Sequence, residues 1–242
     1  MRPALLCTGL AAATLLAPLA PVAHAADGDG DGATLLEVVV TGRTTASLTV
    51  PDADSARAEL ATVPGGAAVV EAAEQQRGRS STLQDSLGYA TGVYVQPRFG
   101  SEESRLSIRG SGLQRTFHLR GIRVLQDGVP VNQTDGGGDF QVLDPLALEY
   151  TVVWRGANAL RFGAATLGGA IDFIGPTGRS PDGAGARLHA EAGSFGYRRP
   201  FASYGAADGD RDGYVALSGF VQQGFRAHAD QETWRLSGNW GE

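Results

Sequence analysis

The sequence predicts an α+β domain, built from a short mixed sheet with small helices, followed by antiparallel β-strands. Three observations predict this fold class. Short apolar runs alternate with glycine-bearing turns between Val63 and Pro176, in a chain that has 35 glycines among 242 residues. The pair Asp127-Gly128 separates two β-branched runs, which is a strong short-range hairpin signal. From about Ala184 onward, apolar and polar residues alternate with a period of two, the pattern of half-buried strands.

The composition indicates a folded chain with a substantial core. Hydrophobic residues make up 42% of the sequence and charged residues only 19%, so enough apolar surface is available for a packed interior. The formal net charge is -6, and Lys and Arg form no cluster. We therefore expect no nucleic-acid partner.

The first residues have the three parts of an export signal. Arg2 supplies the positive charge, Ala4–Ala20 is apolar, and Ala23–Ala25 offers an A-x-A cleavage site. A membrane-spanning helix is the alternative. Pro18 and Pro21 interrupt the run, however, and it is shorter than the roughly 20 residues that cross a bilayer. We predict a signal peptide over residues 1–25.

Residues 26–62 are predicted to be a linker that contains one strand-like run. The DGDGDG stretch at its start imitates a calcium-binding loop, but the closing position falls on Val38 instead of a bidentate Glu, so no metal site is expected. The run is Leu35–Arg43, whose central valines favour an extended strand. No neighbouring run lies close enough in sequence to pair with it as a hairpin.

Short runs in the mixed part of the chain predict one helix and the strands of the sheet. Leu83 and Leu87 predict a short helix that Ser80 or Ser81 caps and that stops near Gly92. The predicted extended segments are Ala67–Val70, Val93–Val95, Leu106–Ile108, Phe117–Leu119, Ile122–Leu125, Val129–Val131, Tyr150–Trp154 and Ala170–Ile174.

Beyond Gly178–Gly183 the alternation becomes regular. The alternating runs are Ala186–Ala192, Tyr214–Gln223 and Thr233–Trp240, and the last places both of its tryptophans on one face. Runs of about ten residues with aromatic residues near their ends are typical of membrane β-barrel strands. A soluble β-sandwich shows the same alternation, and periodicity alone does not decide between the two.

Three Arg-Gly pairs follow short strands, at Arg109, Arg120 and Arg155, and they stand among motifs in collinear order. The motifs are TGVYVQPR, LSIRGSG, VLQDGVPV, VVWRGANALRFG and LGGAIDF. This set resembles the plug domain of TonB-dependent outer-membrane receptors, in which a globular plug sits in the lumen of a large β-barrel. The resemblance implies a plug domain over residues 63–180. It also implies that residues 181–242 are the first strands of an incomplete transmembrane β-barrel.

The resemblance implies three sets of functional residues. The strand-like run at about residues 35–43 matches the TonB box, which adds to a sheet edge of TonB by β-augmentation; a first strand of the plug sheet is the alternative. Arg109 and Arg155 match positions that pair with barrel glutamates and dock the plug, whereas pairing within the plug or exposure to solvent is the alternative. The coupling residues are Leu35, Leu36, Glu37, Val38, Val39, Val40, Thr41 and Gly42. The candidate ligand contacts are Arg98, Phe99, Arg115, Asn132, Gln133 and Asp135.

By the same resemblance, the protein is a TonB-dependent receptor of the Gram-negative outer membrane that takes up a scarce ligand by energy coupling. The implied ligand is a ferric siderophore or another iron complex. The implied partners are TonB with its inner-membrane energising complex, and outer-membrane lipid; no cofactor is implied. One alternative is a receptor for a non-iron ligand such as cobalamin or another cofactor. The other is a secreted or periplasmic soluble β-rich binding module without transport.

The sequence predicts no enzyme and no catalytic residue. Its histidines, His24, His118, His189 and His228, are scattered, and the sequence lacks the nucleophile-elbow, zinc-protease and phosphate-loop motifs. The single cysteine, Cys7, lies in the predicted signal peptide, which excludes thiolate chemistry from the mature chain.

The chain departs from the family pattern in three residue types and in length. Val152 stands where the family carries Glu, Phe162 replaces Tyr, and Asp172 stands where Asn is common, so specific hydrogen bonds through these positions are not carried over. The family needs some twenty barrel strands, and this chain supplies about four, which cannot close a barrel. We therefore expect a fragment of a longer receptor or a truncated product.

Overall fold

The computed structural model describes residues 51–76, 78–80, 82–98, 104–112, 118–138 and 140–242. The predicted signal peptide and the segment Leu35–Arg43 lie outside these residues. The helices are α1 (Ala53–Ala61), α2 (Ala72–Gln75) and α3 (Leu83–Leu87), with 3₁₀ turns at Pro145–Ala147 and Gly156–Phe162. The strands are β1 (Ala67–Glu71), β2 (Val93–Pro97), β3 (Ser104–Ile108), β4 (Ile122–Gln126), β5 (Val129–Pro130), β6 (Tyr150–Arg155), β7 (Gly169–Ile174), β8 (Gly185–Ala192), β9 (Arg198–Asp208), β10 (Arg211–Gln222) and β11 (Gln231–Gly241). No helix in the described ranges is long and apolar enough to cross a membrane.

Residues 63–180, the plug region, are built around a five-stranded mixed sheet. Its strand order is β1-β6-β7-β4-β5, with β4 and β7 parallel and the other neighbours antiparallel. The central strands β6 and β7 are buried along almost their whole length, as expected for strands that are covered on both faces. Asp127 and Gly128 both have positive φ, 51° and 78°, which confirms the predicted two-residue hairpin.

Two apolar clusters cover the two faces of this sheet. On one face, α3 and the β2–β3 hairpin contribute Leu87, Leu106 and Ile108, all of them buried. On the other face, Tyr150 and Trp154 of β6 pack with α1. Helix, sheet and hairpin thus form three layers, and the predicted α+β fold class is confirmed.

The helix α1 lies within the segment that the sequence predicts to be a linker, so a linker is wrong for these 9 residues. Asp52 caps the helix by accepting from the backbone N–H of Ser55 at 2.8 Å. Ala53, Ala56 and Leu60 recur at helical spacing and pack against the sheet. Because alanine is only weakly apolar, this stripe gives little periodic signal in the sequence.

The cap and the length of α3 differ from the prediction. Thr82, not Ser80 or Ser81, is the N-cap, because Thr82 and Asp85 form a capping box in which each side chain accepts from the backbone N–H of the other. The helix ends at Leu87, one turn earlier than expected.

Leu119 was expected in an extended run and lies outside the strands. Its backbone N–H donates to the carbonyl of Gly136 at 2.9 Å, and the neighbouring His118 forms a single β-bridge with Gly137. Phe117 is not among the described residues.

The strands β8 to β11 form a four-stranded antiparallel sheet, in which each strand pairs with the next along the chain. The antiparallel strands predicted for this part of the chain are therefore confirmed. β9 has no counterpart in the prediction, because its large apolar residues, Phe201 and Tyr204, fall on opposite faces among small ones.

Candidate functional site

The inward face of the four-stranded sheet carries polar and charged side chains that meet the plug region. Successive side chains of a strand point to opposite faces, so every second residue belongs to the same face. Arg199, Ser203 and Ser218 on this face are buried. The full inward set is Arg187, His189 and Glu191 of β8; Arg199, Phe201 and Ser203 of β9; Tyr214, Ala216, Ser218 and Phe220 of β10; and Thr233, Arg235, Ser237 and Asn239 of β11.

One buried polar contact joins Asp144 of the plug region to two strands. The Nη2 atom of Arg199 lies 2.8 Å from Asp144 Oδ1, and the two side chains are 1% and 5% exposed. The Ser218 hydroxyl donates to the other carboxylate oxygen. The backbone N–H of Leu146 donates to Oδ1 at 3.0 Å, which caps the 3₁₀ turn that follows Asp144. We call this cluster of Asp144, Arg199 and Ser218 the central joint, since it attaches the plug region to β9 and β10 at once.

Further hydrogen bonds attach the plug region around the central joint. Glu191 Oε1 accepts from the backbone N–H of Ser80 at 3.3 Å, and its other oxygen accepts from the Tyr197 hydroxyl at 2.5 Å. The remaining contacts join Arg187 to the Gln76 side chain, Arg235 to the Gln141 carbonyl and Asn239 to the Pro176 carbonyl. The contacts therefore come from β8, β9, β10 and β11, so every strand of the sheet takes part.

The outward face of the same sheet is apolar and exposed. Leu188, Leu236 and Trp240 are 84%, 76% and 75% exposed. Cross-strand pairing arranges the outward residues in four rows. The second row from the loop end, the aliphatic row, has no aromatic residue and lies between two rows that do. From the end with the loops 193–197 and 223–230 to the end with the turn 209–210, the rows are Ala190, Pro200, Gly219 and Trp234; then Leu188, Ala202, Leu217 and Leu236; then Ala186, Tyr204, Val215 and Gly238; then Ala206, Gly213 and Trp240.

Charged residues bound this apolar face at both ends. Arg198 and Glu232 stand in the row next to the loops, and Asp208 and Arg211 stand in the row next to the tight turn. Arg198 and Asp208 are the first and last of the 11 residues of β9. At about 3.3 Å per residue, Arg198 and Asp208 are ~33 Å apart along the strand. For a strand tilted by about 40° from the barrel axis, this length corresponds to ~25 Å measured along that axis. An outward apolar band of about 25 Å between aromatic girdles is the pattern of outer-membrane strands.

Arg109 and Arg155, the predicted docking residues, lie side by side at one end of the plug region. Both guanidinium groups border Gly66, where an added Cβ would lie 2.8 Å from Arg155 Nε and 3.5 Å from Arg109 Nη2. Arg155 donates to the carbonyl of Thr91. Within the described residues neither arginine forms an ion pair. Two adjacent cations without a carboxylate favour an anionic partner, and docking to barrel glutamates stays a prediction.

Asn132, a predicted ligand contact, is engaged by the edge of the plug sheet. Its Oδ1 atom accepts from the backbone N–H of Val124 at 2.8 Å, and its Nδ2 atom donates to the carbonyl of Ile122 at 3.0 Å. Asn132 thus hydrogen-bonds the backbone groups of β4 that the short strand β5 does not reach. These two bonds need both a donor and an acceptor, which the amide side chain supplies.

The other predicted ligand contacts fall into two groups. Arg98, Gln133 and Asp135 are exposed, and Asp135 also accepts from a backbone N–H two residues further on. Phe99 and Arg115 lie outside the described residues. Arg98, Gln133 and Asp135 are therefore accessible at the surface of the plug region.

A group of three carboxylates lies at the end of β6 opposite the arginine pair, and two of them, Glu149 and Asp172, are buried. Burial raises the pKa of Glu149 to about 7, although a hydrogen bond from Ser180 lowers it in part. Burial also raises the pKa of Asp172 to about 6 and raises that of Asp127. Asp127 and Asp172 line a cavity of about 240 Å³ between α1 and the sheet. In the part of the chain that the structure describes, no group of three or more acidic, His or Cys side chains is arranged to hold a metal ion.

Asp144 and Arg199 are functional residues that the sequence analysis did not identify. Asp144 directly precedes Pro145, a pattern typical of the start of a helical turn. Arg199 shares the period-two face of Phe201 and Ser203, which indicates an inward position. Neither signal names the partner, because the two residues are 55 positions apart.

The plug region matches a known protein family. Residues 59–170 match the family model described as TonB-dependent Receptor Plug Domain. The ferric citrate transporter FecA in its unliganded form shares 18% identity and a TM-score of 0.58, over 78% of this chain and 31% of that chain. The pyoverdine outer membrane receptor FpvA from Pseudomonas aeruginosa shares 20% identity and a TM-score of 0.55, over 73% and 25%. The FrpB iron transporter from Neisseria meningitidis shares 17% identity and a TM-score of 0.53, over 65% and 24%.

These comparisons define the class of protein. The similarity to the solved structures shows a shared fold, a plug followed by antiparallel strands, and this chain spans 24% to 31% of the length of those three proteins. Residues 59–170 match the TonB-dependent receptor plug domain. Through this region, the chain is similar to TonB-dependent receptors.

Proposed function

We propose that this protein acts in the Gram-negative outer membrane as a receptor that takes up a scarce ligand by energy coupling to TonB. The observation that carries the proposal is the two-sided sheet. Its outward face is an apolar band, while its inward face holds the plug domain through the buried central joint. A plug on the inner wall of a membrane strand array is suited to gated passage, and no catalytic role is proposed.

The proposed ligand is a ferric siderophore or another iron complex. FecA, FpvA and FrpB are a ferric citrate transporter, a pyoverdine receptor and an iron transporter, which supports iron complexes as the ligand class. Arg98, Gln133 and Asp135 are exposed polar residues of the plug region, and we propose them, with Phe99 and Arg115, as contacts. Asn132 is proposed to act indirectly, by holding β4.

The proposed coupling segment is Leu35–Gly42, which would add as a strand to a sheet edge of TonB. The chain after this segment is attached to the plug sheet at Pro51, whose carbonyl accepts from the Tyr150 hydroxyl at 2.5 Å. Helix α1 follows and is held through the Arg57–Glu71 ion pair. A pull on the segment would therefore reach the plug sheet first at β1 and β6.

The proposed docking residues, Arg109 and Arg155, would meet glutamates of the barrel wall. The support is that two adjacent guanidinium groups lack a carboxylate within the described residues. If the barrel wall buried these two guanidinium groups without a carboxylate counter-ion, the lost solvation would destabilise the folded protein by several kcal/mol.

The test is uptake by iron-starved cells that carry the complete reading frame, compared with a deletion strain. We would supply ⁵⁵Fe as hydroxamate, catecholate and citrate complexes, and cobalamin in a separate arm, with and without a functional TonB. The proposal predicts TonB-dependent uptake of one class of iron complex. Uptake of cobalamin and of none of the iron complexes would show that the ligand is cobalamin instead of an iron complex. Equal uptake of every probe by both strains, with the protein in the periplasmic fraction, would favour a soluble binding module and contradict the proposal.

A further inference from the structure

The loop end of the outward sheet face carries aromatic and basic side chains together. Phe195 and Phe225 occupy the tips of the loops 193–197 and 223–230, and they are 56% and 72% exposed. Their ring centroids lie 6.3 Å apart in an edge-to-face arrangement. Arg226 places its guanidinium 5.0 Å from the centroid of Phe225, and Arg198 begins the outward row below the loops. We call these four residues the loop-end rim.

The local backbone holds this rim in place. Phe195 has a φ of 57°, a left-handed conformation that is rare for a large side chain. The backbone N–H of Gln223 donates to the carbonyl of Phe195 at 2.8 Å, which ties one loop to the other. A strained residue that keeps an aromatic ring exposed needs a compensating contact elsewhere. Because this hydrogen bond joins two backbone groups, it leaves the rings of Phe195 and Phe225 available to a partner.

The positive charges of the two arginines of the loop-end rim have no acidic partner among the described residues. Within the described residues neither Arg198 nor Arg226 forms an ion pair. The acidic residue of the same row, Glu232, accepts instead from Trp234 Nε1 at 2.9 Å. It stands two strands from Arg198, or about 10 Å at the usual strand spacing. The opposite rim differs, because Arg211 there is paired with Glu242 at 2.9 Å.

We propose that the loop-end rim binds the phosphate headgroup of an anionic membrane lipid, whose acyl chains lie on the apolar face below. This proposal rests on the membrane location given under the proposed function. Exposed rings at a membrane boundary sit at the level of the headgroups, and arginine forms bidentate hydrogen bonds with phosphate. Both features meet at this end of the apolar band, so the rim fits a lipid in preference to a free anion. The lipid places its phosphate between Arg198 and Arg226 and its chains beside Trp234.

The test compares two lipids with the same acyl chains, one with a net anionic headgroup and one with a zwitterionic headgroup. The product of the complete reading frame, in detergent, is mixed with phosphatidylglycerol or with phosphatidylcholine of the same acyl chains, and native mass spectrometry counts the retained lipids. Wild-type protein is expected to retain phosphatidylglycerol preferentially. Arg198→Gln and Arg226→Gln are each expected to lower that preference about fivefold, as neutralising one basic residue at an anionic surface does.

The control is Arg211→Gln, the same change of charge at the opposite rim, which should leave the preference unchanged. Phe195→Ser should weaken retention of both lipids, since it removes interfacial contact and no charge. An unchanged preference in the Arg198→Gln, Arg226→Gln double variant would overturn the proposal. Equal loss in Arg211→Gln would do the same, as would complete competition by millimolar inorganic phosphate. The measurement needs no iron complex, so a failure of uptake and a failure of lipid binding are seen separately.

Discussion

The central joint gives the sharpest quantitative prediction, for the substitution Asp144→Asn. The substitution keeps the shape of the side chain, and the amide oxygen still accepts from the Leu146 N–H. It removes the charge that faces Arg199, which is 1% exposed and whose Nε atom already lacks a partner. Breaking one side of a buried ion pair costs about 3–5 kcal/mol. Because the isosteric amide keeps part of the hydrogen bonding, we expect a loss of about 3 kcal/mol in the opening free energy of the plug domain.

The assay is hydrogen exchange with mass spectrometry on the product of the complete reading frame in detergent. A loss of about 3 kcal/mol accelerates exchange in β6 and β7 by ~150-fold wherever exchange follows opening. Arg211→Gln is the matched control, since its ion pair with Glu242 is 67% and 70% exposed and such pairs contribute about 0–1 kcal/mol. The double variant Asp144→Leu, Arg199→Met should recover most of the loss, because apolar residues of similar volume replace both charges. Exchange in Asp144→Asn within about threefold of wild type would show that the charge of Asp144 does not stabilise the plug domain.

Three other predictions follow from burial and spacing. Burial raises the pKa of Glu149 to about 7 from an ordinary 4.5, so ionisation of this group lowers the opening free energy as pH rises from about 4.5 to 7. Glu149→Gln should remove this contribution, leaving those of Asp172 and Asp127, and should stabilise the plug at pH 8 by about 1–3 kcal/mol. Identical pH profiles of the variant and the wild type would contradict this prediction. Leu236→Arg, in the aliphatic row of the outward face, should make insertion of the protein into lipid vesicles less favourable by about 2–4 kcal/mol, whereas Glu232→Arg at the boundary should change it by about 0–1 kcal/mol. Equal effects of the two substitutions would argue against a membrane-facing band. In Gly168→Ala the new Cβ would lie 2.5 Å from Ser111 Cβ and 2.8 Å from the Ile108 carbonyl oxygen. The substitution should lower the free energy of unfolding, measured by chemical denaturation, by about 1–3 kcal/mol. Gly78→Ala is the control, because its new Cβ has nothing within 4 Å, and it should change that free energy by less than about 0.5 kcal/mol.

Local chemistry made much of the fold predictable. The Asp127-Gly128 hairpin was predicted because two consecutive positive φ values require residues of this kind. The buried strands β6 and β7 were predicted because β-branched and aromatic residues cluster there. Gly168 lies against Ser111 and the Ile108 carbonyl, both of the plug domain itself. The glycine stands in the sequence motif LGGAIDF, but only the tertiary fold determines which residues approach it.

The elements that sequence reasoning missed lack a local signal. Helix α1 packs through alanines, whose apolar signal is weak, and β9 alternates mostly small residues. The central joint depends on Asp144 meeting Arg199, a pairing 55 residues apart that only the topology of the sheet creates. Asn132, which the resemblance suggests as a ligand contact, hydrogen-bonds the backbone of β4, and its contact with a ligand stays a prediction. A polar side chain in a loop can equally satisfy a nearby backbone, and sequence alone does not separate the two roles.

Deletion of Leu35–Gly42 from the product of the complete reading frame is a direct test of energy-coupled uptake. Surface binding and internalisation of the ⁵⁵Fe complex that the wild type takes up are measured on the same cells. The segment is proposed to couple the plug domain to TonB and to make no ligand contact. We therefore predict that binding is kept while internalisation falls to the level of cells without functional TonB. Internalisation at the wild-type rate after the deletion would contradict it.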